Sequence, residues 1–133
     1  MSTEPAKRID TLMLIDDNAI DHLVYKRIVD RSGMVDAYLP FLMAQDALDY
    51  LSIPANPVPD LILLDIKMPS MNGFEFLEAA ETAFGAEFAP VIVMLTTSID
   101  PRDAERARAF SSVRDFRHKP LSIEMLGELV EML

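Results

Sequence analysis

The sequence contains no cysteine and only two histidines, His22 and His118. Without cysteine there is no disulfide framework and no thiolate chemistry, and two histidines so far apart do not suggest a zinc site. Basic residues are scarce: 12 lysines and arginines stand against 22 acidic residues, for a net charge of −10 at pH 7. Direct binding to a nucleic-acid backbone needs a basic face, so that class is set aside. The longest apolar runs, such as Leu61 to Leu64 and Val91 to Leu95, fall far short of the roughly 20 residues that cross a bilayer. Met1 to Asp10 lacks the basic-then-apolar layout of a secretory signal. There is no repeat, low-complexity stretch or linker. A cytoplasmic protein without membrane or nucleic-acid partners is expected.

What is present is an ordinary globular balance, with half of the 133 residues hydrophobic and 26% charged. That length fits one domain over residues 1–133, with a folded core from about residue 9 and a flexible amino-terminal tail over residues 1–8. Short apolar runs alternate with segments of helical period, the pattern of an α/β fold with a parallel sheet. Five strand-helix units follow. The first strand is Thr11 to Ile15, and Ile20, Leu23, Val24 and Ile28 give a helix that stops near Ser32-Gly33. A weaker strand spans Val35 to Phe41, where Pro40 suggests a sheet edge, and a short helix runs from about Ala44 to Leu51. Ser52 to Pro59 carries three prolines and reads as a loop. Asp60 to Asp65 is the clearest strand, apolar on both faces as central parallel strands are. A helix that follows Gly73 and runs to about Ala83, a strand over Val91 to Leu95, a helix over Arg102 to Phe110, a strand near Val113 to Phe116 and a terminal helix complete the series. The fold class is α/β, with a five-stranded parallel sheet in a doubly wound, flavodoxin-like three-layer sandwich.

In an open parallel sheet the working crevice lies at the carboxyl ends of the strands. Those ends are polar here. The first strand ends in Asp16-Asp17, the third in Asp65, the fourth in Thr96-Thr97-Ser98, and the fifth leads to Lys119-Pro120. Taken singly, each has a bland reading: Asp16-Asp17-Asn18 as a helix cap, Asp65 as a turn residue, the threonines as a loop and cap, Lys119 as a solvated charge, Phe116 as core. Their joint arrival at one rim argues otherwise. Carboxylates about 5 Å apart repel by roughly 3 kcal/mol per pair at an effective dielectric of 20, so a site holding Asp16, Asp17 and Asp65 needs a cation or must take up protons. Mg²⁺ suits it, being held by one or two carboxylates and waters with positions left for phosphate oxygens. With that charge neutralised, Asp65 can act as a nucleophile on phosphorus, and Thr96 can hydrogen-bond a phosphoryl oxygen.

Leu61-Ile-Leu-Leu-Asp65-Ile-Lys-Met68-Pro69-Ser-Met71-Asn-Gly73-Phe-Glu-Phe-Leu77 resembles the phosphoacceptor segment of two-component response-regulator receiver domains. The acidic pair after the first strand, the threonine after the fourth and the Lys-Pro after the fifth fall in the same family's order, so the resemblance covers nearly the whole chain. It implies that Asp65 is phosphorylated, and that Asp17, Asp65 and the backbone carbonyl of Lys67 ligate Mg²⁺, with Asp16 holding the metal mainly through water. It implies further that Thr96 and Lys119 contact the phosphoryl group, that the Lys119-Pro120 bond is cis, and that Thr96 and Phe116 form the switch. A histidine kinase or histidine phosphotransfer protein is the implied donor. The expected output is a downstream protein target reached through the fourth helix, fifth strand and fifth helix. The domain is expected to act as a signalling switch rather than an enzyme, as a monomer or weak homodimer.

Two positions depart from the family pattern. Lys67 places a long cation two residues after Asp65, and Thr97 is larger than the small residue often found after the conserved threonine; both are expected to tune dephosphorylation. Gly73 is expected to supply a positive φ before its helix. The methionines read mostly as core filling, with Met125 and Met132 also available to a partner. The histidines read as structural or exposed. A nicotinamide-binding fold is excluded, because Asp16-Asp17-Asn18 stands where its glycine-rich turn belongs.

Overall fold

Strand-forming apolar runs and amphipathic helices alternate five times in the computed structural model, which describes residues 8–85 and 88–133. The elements are β1 (Ile9–Ile15), α1 (Ala19–Ser32), β2 (Val35–Phe41), α2 (Ala44–Leu51), β3 (Leu61–Leu64), α3 (Gly73–Phe84), β4 (Val91–Thr96), α4 (Pro101–Arg108), β5 (Val113–His118) and α5 (Ile123–Val130). All five strands are parallel, in the order β2-β1-β3-β4-β5. Pro40 accordingly lies on an edge strand, where a missing N–H is tolerated. Residues 1–7 of the expected tail lie outside the described residues. Arg8 is described: its guanidinium pairs with Asp36 and donates to the Gly33 carbonyl at 2.6 Å.

Side chains alternate across each strand, so the central strands feed two cores. Met13, Ile15, Ile62, Leu64, Ile92 and Met94 face α2, α3 and α4. Leu12, Leu14, Leu61, Leu63, Val93 and Leu95 face α1 and α5. These positions are 0–1% exposed, and each such side chain contributes about 2 kcal/mol on removal from water. Both layers pull the strands into register and set the strand ends level at one rim.

The first helix forms where its apolar spacing placed it, capped by Asn18 at the start and by Gly33 at φ 65° at the end. The face it buries keeps only Ile28 of the four residues that the spacing marked, partly buried against the core. His22, Tyr25 and Val29 are buried, whereas Ile20 is 70% and Leu23 66% exposed. The buried histidine is tolerable because its ring has partners: Nε2 lies 2.7 Å from the Asp16 carbonyl oxygen and Nδ1 3.4 Å from the Tyr38 hydroxyl. Met125 and Met132 are partly buried against the same layer. No helix among the described residues is long and apolar enough to cross a membrane.

Candidate functional site

The ladder carries on past the last strand residues and fixes the acidic rim. Asp16 N–H donates to the Phe41 carbonyl and Asp65 N–H to the Ile15 carbonyl, each at 3.0 Å. Asp16 and Asp65 are thereby held side by side at 1% and 7% exposure, with the exposed Asp17 next to them. Carboxylate oxygens of Asp16, Asp17 and Asp65 all lie within 4.8 Å of one another. The opposite side is set by the Lys119 N–H, which donates to the Thr96 carbonyl at 2.8 Å, and by the cis Lys119–Pro120 bond.

The Lys119 ammonium turns inward over this rim. Nζ donates to Asp16 Oδ2 at 2.6 Å, to Asp21 Oδ2 at 2.8 Å and, at longer range, to Asp65 Oδ2 at 3.4 Å. Burial alone would lower the lysine pKa, but hydrogen bonds to Asp16 and Asp21 and the charges of Asp65 and Asp16 together raise it. The Asp65 carboxyl is pushed above the ordinary range, chiefly by burial; Lys119 opposes the shift, the Asp16 charge adds to it, and the Ile66 N–H works against it. That N–H donates to Asp65 Oδ1 at 2.8 Å.

Three carboxylates thus share one inward-facing ammonium, with the Asp17 carboxylate close by. The donor set is oxygen only and open to solvent through a crevice of about 490 Å³ lined by Asp17, Asp21, Asp65, Lys67, Thr97 and Lys119. A hard divalent cation fits such a set, because its charge removes the repulsion and carboxylates are its preferred ligands.

Not every expected residue reaches the crevice. Thr96 is 1% exposed and its Oγ1 accepts from the Ser98 N–H at 3.1 Å, so the open wall on that side is Thr97. Phe116 is half-buried beside β4, with its ring edge-on to His118 at 5.7 Å and 78°. It lines a cleft between α4 and β5, together with Pro101, Ala104 and Ala107.

The role expected of Gly73 is corrected. Among the described residues the positive φ angles belong to Gly33, Gly85 and Ser70. Gly73 serves close approach instead: its N–H donates to the Ile66 carbonyl at 2.8 Å, and a Cβ there would lie 2.3 Å from the Asp65 carbonyl oxygen and 3.1 Å from Ile66 Cα.

Asp21 was missed in the sequence. It occupies the third position of α1, where an acidic residue usually answers the helix dipole, and that ordinary reading hid a side chain facing the rim.

The sheet order and the acidic crevice at the strand ends define a flavodoxin-like α/β domain with its polar groups gathered at the carboxyl ends of the strands. Residues 12–131 match the family described as the response regulator receiver domain, and the chain belongs to that family. A phosphoacceptor role is general in it, and its members act as signalling switches. Among curated relatives, the probable methanogenesis regulatory protein FilR2 of Methanothrix harundinacea is 31% identical over 90% of this chain and 78% of its own length. Matches to larger proteins are partial: the chain spans 16% of the sensory/regulatory protein RpfC of Xanthomonas campestris, at 27% identity. Among solved structures, a two-component response regulator from Cytophaga hutchinsonii aligns with a TM-score of 0.84 and 26% identity, over 94% of this chain and 96% of that one. A response regulator receiver protein from Dyadobacter fermentans aligns at 0.80 and 31%, over 92% and 95%.

Proposed function

We propose that this receiver domain takes a phosphoryl group on Asp65 from the phospho-histidine of a histidine kinase or phosphotransfer protein in the cytoplasm, and that this changes its affinity for a downstream protein. The observation that carries the reading is the Asp65 carboxylate in the crevice, clustered with those of Asp16 and Asp17 and within reach of the Lys119 ammonium. An Asp65 oxygen forms the bond to phosphorus as the phosphorus-nitrogen bond breaks, and that electron pair returns to the donor imidazole. Mg²⁺, held by Asp17, Asp65 and the Lys67 carbonyl, with Asp16 acting mainly through water, would supply the charge neutralisation that brings two anionic groups together. Lys119 would add a donor to the phosphoryl oxygens.

The output step uses Thr96 and Phe116. The Thr96 hydroxyl now accepts from Ser98; its own proton is free to turn to a phosphoryl oxygen, and Phe116, only half-buried, follows into the space vacated. Such a switch biases an existing equilibrium, and a hundredfold change in the ratio of conformers needs about 2.7 kcal/mol of preference. The altered face is α4, β5 and α5. Donor docking is supported by Ile20, Leu23 and Val24, exposed on the helix that starts at the crevice. Lys67 and Thr97 both line the crevice, which supports a role in setting the phosphoryl lifetime; unchanged lifetimes in Lys67→Asn and Thr97→Ala would remove that role. The domain works as a monomer or weak homodimer.

Incubation with a small phosphodonor and Mg²⁺ should add one phosphoryl group, seen by intact mass, and Asp65→Asn should take none. Equal labelling of that variant would refute the assignment.

A further inference from the structure

One carboxylate at the crevice has no part in the phosphoryl reading. Asp21 Oδ2 accepts from Lys119 Nζ at 2.8 Å, almost as closely as Asp16 Oδ2 at 2.6 Å and well inside the 3.4 Å to Asp65 Oδ2. Its side chain is not needed as a helix cap, since the Asn18 side chain already accepts from the Ile20 and Asp21 N–H groups. An ammonium has three N–H donors. Its two short bonds run to Asp16, just past β1, and to Asp21 on α1, so the group leans away from Asp65. Asp21 is also accessible, at 24% side-chain exposure against 11% for Lys119, and forms part of the crevice wall.

Resting on the reading of Asp65 as a Mg²⁺-dependent phosphoacceptor, we infer that Asp21 is a positioning residue that holds Lys119 toward Asp16, so that an incoming phosphoryl group must compete with it for the ammonium. Two effects of opposite sign follow. The Asp21 charge, by matching that of Lys119, favours a divalent cation among Asp16, Asp17 and Asp65. The same charge, and its grip on Lys119, oppose an anionic phosphodonor. A residue that merely kept the fold in order would move both properties the same way.

Asp21→Asn keeps the size and a hydrogen-bond acceptor but removes the charge. Mg²⁺ alone is titrated calorimetrically into the full chain, and the second-order rate of Asp65 labelling by acetyl phosphate is measured at saturating Mg²⁺. The expected result is a Mg²⁺ affinity about fivefold weaker and a labelling rate about threefold faster, the scale of one screened unit charge near a charged ligand. Asp21→Glu, which retains the charge, should stay near wild type in both. Wild-type values for Asp21→Asn in both measurements would overturn the inference, and so would a fall in both accompanied by a lower thermal midpoint. If the wild-type chain neither binds Mg²⁺ nor labels at Asp65, the phosphoacceptor reading fails and this inference with it. If it does both and Asp21→Asn matches it, the inference alone fails.

Discussion

Gly73 sits so close to Asp65 that a Cβ on the glycine would stand 2.3 Å from the aspartate's carbonyl oxygen. The first turn of α3 is thereby pressed onto the segment that carries Asp65, and the obstacle is backbone rather than a side chain that could swing aside. Gly73→Ala should therefore destabilise the fold by about 2 kcal/mol, in the range of overpacked interiors, and should weaken Mg²⁺ binding by displacing Asp65. Urea denaturation and magnesium titration read the two effects. A midpoint equal to wild type would count against the close approach.

The exposure of Leu23 and the burial of Tyr25 on α1 lead to a contrasting pair. Leu23→Lys should leave stability within about 0.5 kcal/mol, as surface changes usually do. Tyr25→Ala should cost about 3 kcal/mol, because the ring, 2% exposed, fills the layer between the sheet and α5. Thermal or urea unfolding of both variants checks this, and the reverse ranking would mean that the helix presents its other face.

That helix shows where the sequence was legible and where it was not. Element type and order could be read because the central strands are apolar on both faces and the helices repeat every three to four residues. The acidic pair, Asp65 and Lys119 could be read because strand ends share one rim by topology. Which face α1 buries could be read only in part: of the periodic apolar residues Ile28 packs against the core but Ile20, Leu23 and Val24 point outward, while a polar His22 is buried because Asp16, just before the helix, and Tyr38, on β2, offer it partners. The reading of Gly73 failed for a related reason. A glycine before a helix is as consistent with a close backbone approach as with a left-handed φ, and only tertiary packing distinguishes them. Asp21 was hidden by position, since an acidic first helical turn already has a local explanation.

His22 connects the acidic rim to β2. A carbonyl oxygen can only accept, so Nε2 carries the proton donated to Asp16, and Nδ1 is left to accept from the Tyr38 hydroxyl. His22→Leu would leave the buried Asp16 carbonyl and the half-buried Tyr38 hydroxyl without that partner, at a cost of about 1–3 kcal/mol. His22→Gln, whose side-chain amide can still donate, should recover part of the loss. Denaturation of the two variants decides it: if the leucine variant is as stable as wild type, the histidine is a filler and not a link.

The raised pKa of Asp65 has a consequence for stability with a definite sign. Burial is its main cause, with Asp16 adding to it and Lys119 and the Ile66 N–H opposing it. The folded chain therefore holds this proton more tightly than the unfolded chain. The contribution favours folding while the carboxyl is protonated and is lost as pH rises through the raised value. At neutral pH, without metal, ionised Asp65 is a net burden, and Asp65→Asn should raise the melting temperature by a few degrees. The gain should shrink as pH falls through the raised value towards the ordinary carboxylate range, below which it is gone. Lys119 does not confuse this window: its pKa is raised, so its own contribution is intact below the ordinary lysine value of 10.5 and is lost only at higher pH. Adding Mg²⁺ should reverse the ranking at neutral pH, raising the wild-type midpoint through binding to the folded state and the Asp65→Asn midpoint far less. A variant that melts below wild type in the absence of metal, or that gains as much from magnesium, would show that Asp65 does not carry the repulsion the crevice geometry assigns to it.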